Sequence, residues 1–125
     1  MRVLLVIIGI YQAANGVVML TVPEIWYSAV PGVPENGPAN IHFIRDIGLA
    51  FLAAGAALLM ASRRPDDGRL IMSATIFLGG HAIYHLVGMA HGTTPAATAR
   101  DVMLIVVPAL LPLAALRPGN AKARI

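Results

Sequence analysis

The chain has 125 residues, 58% hydrophobic and 12% charged, where a soluble domain carries about 25% charged and about 45–50% apolar residues. That deficit of charge excludes an ordinary water-soluble globule, the length admits one domain, and zero cysteines exclude disulfides, iron–sulfur clusters and thiolate metal sites. The net charge of +3 and pI near 10.0 do not make a nucleic-acid surface, because the basic residues sit in short segments between apolar runs.

A helix that crosses the hydrocarbon core needs roughly 20 apolar residues, at about 1.5 Å of rise each through about 30 Å of lipid. Four segments answer that description, and together with their connections they predict an all-α, up-down four-helix membrane bundle, a single domain over residues 1–125. The first span is 3–22, with Gln12 near its middle and Asn15 further along. Arg2 followed by an apolar run imitates a signal peptide, but a signal core is about 7–15 residues long and this run continues to Val22, so a retained span is expected.

A loop over 23–40 follows. Pro23, Pro31, Pro34 and Pro38 with Gly32 and Gly37 make it a rigid, turning segment. Trp26 and Tyr27 suit a membrane–water interface. The loop is placed to cover the mouth of the bundle at its own end. Asn40 is a candidate N-cap for the next helix, with Pro38 just before it.

The second span, 41–61, carries His42, Arg45 and Asp46 near its start and then the small-residue stretch GLAFLAAGAALL. Small residues let backbones approach closely, which is how spans associate where lipid removes the hydrophobic drive. An ion pair between Arg45 and Asp46 is one way to neutralise the two charges, with Arg45 reaching toward headgroups as another. The third span, 70–90, holds His81 near its middle and Tyr84 and His85 further along, with Gly79, Gly80 and Gly88 as close-approach positions. The fourth, 102–116, is short, and Pro108 and Pro112 predict a kink.

Arg2, Arg63, Arg64, Arg69, Arg117, Lys122 and Arg124 fall on one side of this arrangement, and Arg100 in a loop over 91–101 falls on the other. The excess of basic residues marks the cytoplasmic side. Both termini are therefore expected inside and the 23–40 and 91–101 loops outside. The RRPDDGR segment reads as a solvated turn, with its bend at Asp-Gly, and His91 as a solvated loop residue.

Polar intramembrane residues then share one depth. His42, Arg45, Asp46, Tyr84 and His85 fall in the outer half, with Gln12, Asn15 and His81 at or beyond the middle, while the inner half is apolar. His42 and Asp46 are four apart, as are His81 and His85, so each pair shares a helix face. If the faces meet, His42, Asp46, His81 and His85 form a candidate metal set of the kind that suits zinc, copper(II) or iron. His81 lies about 6 Å deeper than His85, which favours a subset. Arg45, Tyr84, Gln12 and Asn15 are the further candidate ligand-binding residues. The competing reading is interhelical hydrogen bonding, worth about 0.6 kcal/mol per contact on average in a membrane.

The block WYSAVPGVPENGPANIHFIRDIGLAFLAAGAALL resembles small four-helix bacterial inner-membrane proteins of unknown function, broadly DoxX-like. The resemblance covers roughly the first half of the chain. It implies a four-span fold and, for some members, association with quinone-linked redox enzymes. It assigns no catalytic residue.

Three functions are compatible with these residues. The outer-half cluster binds a metal ion, haem or a quinone head group, although two histidines of one helix cannot ligate opposite faces of one haem, so His42 would be the partner. Alternatively, the chain is an accessory subunit or homo-oligomer, part of a larger membrane complex whose polar cluster is structural. The third is proton or metal-ion transport, against which stands the lack of titratable residues across the inner half. No nucleophile motif, phosphate loop or paired-carboxylate arrangement specifies an enzymatic reaction.

Overall fold

A computed structural model describes residues 1–64 and 68–116. The chain is all-α. Helix α1 is Arg2–Thr21, α2 is Pro23–Ala29, α3 is Ile41–Arg63 and α4 is Gly68–Ala90. The last helix, α5, is Pro95–Ala115. Helices α1, α3, α4 and α5 are each long and apolar enough to cross a membrane. They pack around a ring in chain order, with α1 against α3, α3 against α4, α4 against α5, and the end of α5 returning to α1.

The boundaries follow from local chemistry. The Asn40 side chain accepts from the Phe43 N–H at 3.1 Å and starts α3, as an N-cap should. Thr94 does the same for α5, accepting from the Ala97 N–H at 3.2 Å, with Pro95 at the first helical position, where its missing N–H costs nothing. The fourth span therefore starts seven residues before the expected Val102 and is 21 residues long. That correction moves Arg100 and Asp101 out of a loop and into the second turn of a helix. The expected loop over 23–40 is likewise partly helical, with α2 starting at Pro23 and a single 3-10 turn at Pro34–Asn36. Of the Asp67–Gly68 pair expected to make the bend, Asp67 lies outside the described residues, as do the basic residues Arg117, Lys122 and Arg124, and Gly68 opens α4.

The closest packing is between α1 and α3, and it is backbone on backbone. A Cβ placed on Gly16 would stand 2.5 Å from the Gly48 carbonyl oxygen, and one on Gly55 would stand 2.5 Å from the Ala13 nitrogen. Gly9 and Gly48 are also closed, by Gly55 and Leu59 and by Met19 and Gly16 respectively. The four glycines form two seven-residue steps facing each other, Gly9 opposite Gly55 and Gly16 opposite Gly48. Close approach of this kind maximises dispersion contact where there is no hydrophobic drive between helices. The small-residue stretch of α3 is thus satisfied by α1, through glycines the sequence reading passed over. The expectation for α4 is corrected: a Cβ on Gly80 or Gly88 meets nothing within 4 Å, and one on Gly79 makes ordinary contact with Thr75.

Two arginines close the ends of this antiparallel pair. Arg2 Nε donates to the Ser62 carbonyl at 2.9 Å, and Arg45 Nε donates to the Leu20 carbonyl at 3.3 Å. Each places a cation on the last-turn carbonyls of the neighbouring helix, the negative end of its dipole.

The core is aliphatic, with Leu5, Leu58, Ile71 and Leu78 fully buried. The perimeter is also apolar: Ile76 is 75% exposed, and Val3, Met103 and Ile83 are exposed as well. Such a continuous apolar girdle on long helices would be untenable in water and is the expected face toward lipid. The protein is a multi-pass membrane protein.

Candidate functional site

Polar side chains concentrate toward the end of the bundle that carries α2 and the Ala90–Pro95 turn, here termed the loop end. They form two separate groups. On α3, His42 Nε2 and Asp46 Oδ2 are 3.3 Å apart, and the two side chains are 90% and 55% exposed. The four-residue spacing stacks them on one face, as expected. Arg45 points instead to the Leu20 carbonyl. The Arg45–Asp46 ion pair, one of the two alternatives the sequence leaves open, is therefore replaced by two different contacts, because residues adjacent in a helix diverge by about 100° around its axis.

The second group joins α4 to α5. His85 Nδ1 is 3.4 Å from Asp101 Oδ2, with the side chains 28% and 16% exposed. That separation is within ion-pair reach and long for a hydrogen bond. The other carboxylate oxygen, Asp101 Oδ1, accepts from Arg100 Nε at 2.7 Å. His81, one turn deeper on α4, stands edge-on to His85 with ring centroids 4.8 Å apart. It is walled by Phe51 of α3, edge-on at 5.3 Å, and by Phe77, stacked at 6.1 Å. Tyr84 flanks His85 with centroids 6.1 Å apart and is itself exposed on the perimeter.

The four candidate metal ligands are divided between the two groups, and among the described residues no three His, Asp or Glu side chains are arranged to hold a metal ion. Gln12 is buried, 3% exposed, on α1. The glycine register places it level with Phe51 and Leu52, and so at the depth of His81. Asn15 accepts from Trp26 Nε1 at 2.9 Å, which pins α2 to α1. His91 contacts the Val87 carbonyl one turn back at 2.8 Å.

The residue that sequence reading missed is Asp101. The ARD stretch before the apolar run looks like loop, and the readable signal was the Thr94–Pro95 pair, an N-cap followed by proline at the first helical position. Phe51 and Phe77 were likewise unremarkable as single aromatics in apolar runs. The nearby covering segment reaches the same group: Arg100 Nη2 approaches to 3.3 Å of where a Cβ on Gly32 would stand. Gly32 has φ of +89°, a backbone that favours glycine. The loop between α2 and α3 thus rests on the cation that holds Asp101.

Chemically, a carboxylate on Nδ1 fixes an imidazole's orientation and tautomer and presents Nε2 on the other side of the ring, as an acceptor when neutral and a donor when charged. With His81 beside it and aromatic walls around both, the group offers two adjacent imidazoles in an apolar surround. Comparison of the chain with protein-family models, with curated proteins and with solved structures gives no match.

Proposed function

We propose that the protein resides in a bacterial inner membrane with both termini cytoplasmic, and that the His81–His85–Asp101 group, in the outer half of the bundle, binds the polar head group of a lipid-soluble ligand of the quinone class. The placement of Arg2, Arg63, Arg64 and Arg69 at the opposite end from the site supports the orientation. The observation that carries the reading is the Asp101-oriented His85 with His81 against it. Two imidazoles at this spacing donate to, or accept from, the oxygens of a carbonyl or hydroxyl head group. Phe77 stacked on His81 and Phe51 edge-on to both give the group an apolar wall. Tyr84 stands exposed beside half-buried His85, so a ligand dissolved in the bilayer reaches the group from the side of α4. The DoxX-like resemblance points the same way.

The test is saturable binding of a short-chain benzoquinone and a short-chain naphthoquinone to the protein in lipid nanodiscs. His85→Ala and Asp101→Asn are each expected to raise Kd at least about tenfold, equivalent to about 1.4 kcal/mol. Linear partitioning indistinguishable between native and variant samples refutes the reading. Metal analysis and an absorption spectrum of native protein beside a His81→Ala/His85→Ala variant separate a metal or haem from a quinone.

A second reading, an accessory subunit or homo-oligomer, is favoured by one observation. Gly80 and Gly88 are open to the perimeter on α4, where a partner's helix would find small-residue positions. Loss of a cross-linked oligomer in Gly80→Leu would support it, and a stable monomer in mild detergent would count against it.

A further inference from the structure

Helix α5 departs from α-helical geometry. Its first turns, Pro95–Asp101, are α-helical; Val102–Val106 is a π turn in which the Val107 N–H reaches back to the Val102 carbonyl. A short α segment, Val107–Leu110, and a 3-10 segment, Leu111–Ala115, complete it. A π turn inside a helix inserts an extra residue and recurs at functional segments. Here it begins at the residue after Asp101.

Pro108 adds a second departure. It has no N–H, so the carbonyl four residues earlier, that of Leu104, lacks its ordinary α-helical donor. A carbonyl without that donor is costly inside a bilayer unless another group supplies it. The Tyr11 hydroxyl of α1 donates to the Leu104 carbonyl at 2.9 Å. Leu104 is about one turn from Asp101 along α5. Tyr11 belongs to the helix pair that is locked backbone to backbone by Gly9, Gly16, Gly48 and Gly55. The bond therefore ties the irregular stretch of α5 to the most closely packed helix pair of the described residues.

We propose that Tyr11 is a positioning residue for the His85–Asp101 pair, holding the π turn of α5 that begins directly after Asp101. This rests on the reading of that pair as a ligand-binding group. With the hydroxyl in place, the Leu104 carbonyl is satisfied in the π-turn form and Asp101 stays against His85. Without it, the carbonyl is satisfied by rearranging α5, and the loop-end turns of α5 move relative to the α1–α3 frame.

Because the chain has no cysteine, introduced cysteines carry spin labels without background. Val17→Cys on α1 and Ala99→Cys on α5, both at exposed positions, report the distance between frame and loop-end turns by double electron–electron resonance in nanodiscs. Val3→Cys with Leu49→Cys reports on the frame itself. The expected result is one narrow Val17–Ala99 distribution in the otherwise native protein. In Tyr11→Phe a second, longer component appears, with the frame distance unchanged. Pro108→Ala supplies the N–H that α-helical geometry aims at the Leu104 carbonyl and, added to Tyr11→Phe, is expected to restore the single distribution. A native distribution in Tyr11→Phe, or a failure of Pro108→Ala to restore it, overturns the proposal, as does a changed frame distance. Quinone titration of the same samples keeps the two ideas apart. Native protein that binds no quinone sinks the ligand reading and leaves the distance result standing. Tyr11→Phe with altered distances and native quinone affinity overturns the positioning role alone.

Discussion

Replacing one glycine by alanine at two places in the bundle is expected to have opposite effects. At Gly16 the added methyl would stand 2.5 Å from the Gly48 carbonyl oxygen and 2.6 Å from the Leu52 nitrogen. Ordinary contact begins near 3.4 Å, so the helices must part by roughly 0.9 Å or bend, and a gap of that size forfeits about a quarter to a half of each dispersion contact it opens. The obstacles are backbone atoms, which cannot swing aside like a side-chain tip. Overpacking of this kind costs about 1–3 kcal/mol. At Gly80 the same methyl meets nothing within 4 Å, and the change should be neutral or stabilise by up to about 0.5–1 kcal/mol through helix propensity. The measurement is reversible unfolding in mixed micelles titrated with sodium dodecyl sulfate, read by circular dichroism. A native-like or more stable Gly16→Ala, or equal destabilisation by the two variants, would refute the claim that α1 and α3 meet at their backbones.

Arg45→Leu and Asp46→Leu should act independently, with the double variant's effect equal to the sum within about 0.5 kcal/mol, because Arg45 contacts Leu20 and Asp46 contacts His42; a larger coupling in the same unfolding assay would show that the two charges pair. Thr94→Ala removes the cap of α5 and should cost about 1 kcal/mol, whereas Thr93→Ala beside it should cost less. Trp26→Phe removes the donor to Asn15 at a cost of about 0.5–1.5 kcal/mol; hydrogen–deuterium exchange of the α2 amides should speed up, and unchanged exchange would mean that this bond does not hold the segment.

Four spans were legible because each is a run whose length is dictated by bilayer thickness, and run length is a one-dimensional property. The start of α3 was legible for a similar reason: Asn40 caps a donor three residues away. The depth of the polar residues also follows from counting along each helix, and His81, Tyr84 and His85 do gather near the loop end. Partnership is different. Asp101 meets His85 across sixteen positions, Tyr11 meets Leu104 across ninety-three, and Gly16 meets Gly48 because α1 and α3 adopt one antiparallel register among several that their small residues would permit. Spacing along a helix states which side chains share a face. Which neighbour that face meets, and at what rotation, depends on the packing of all four helices at once. The split of the four candidate ligands into His42–Asp46 and His81–His85 was therefore out of reach of local spacing, and so was the choice of Asp101 as the carboxylate. Both were decided by the rotation of α3 that presents its glycines to Gly9 and Gly16, and by the early start and π turn of α5.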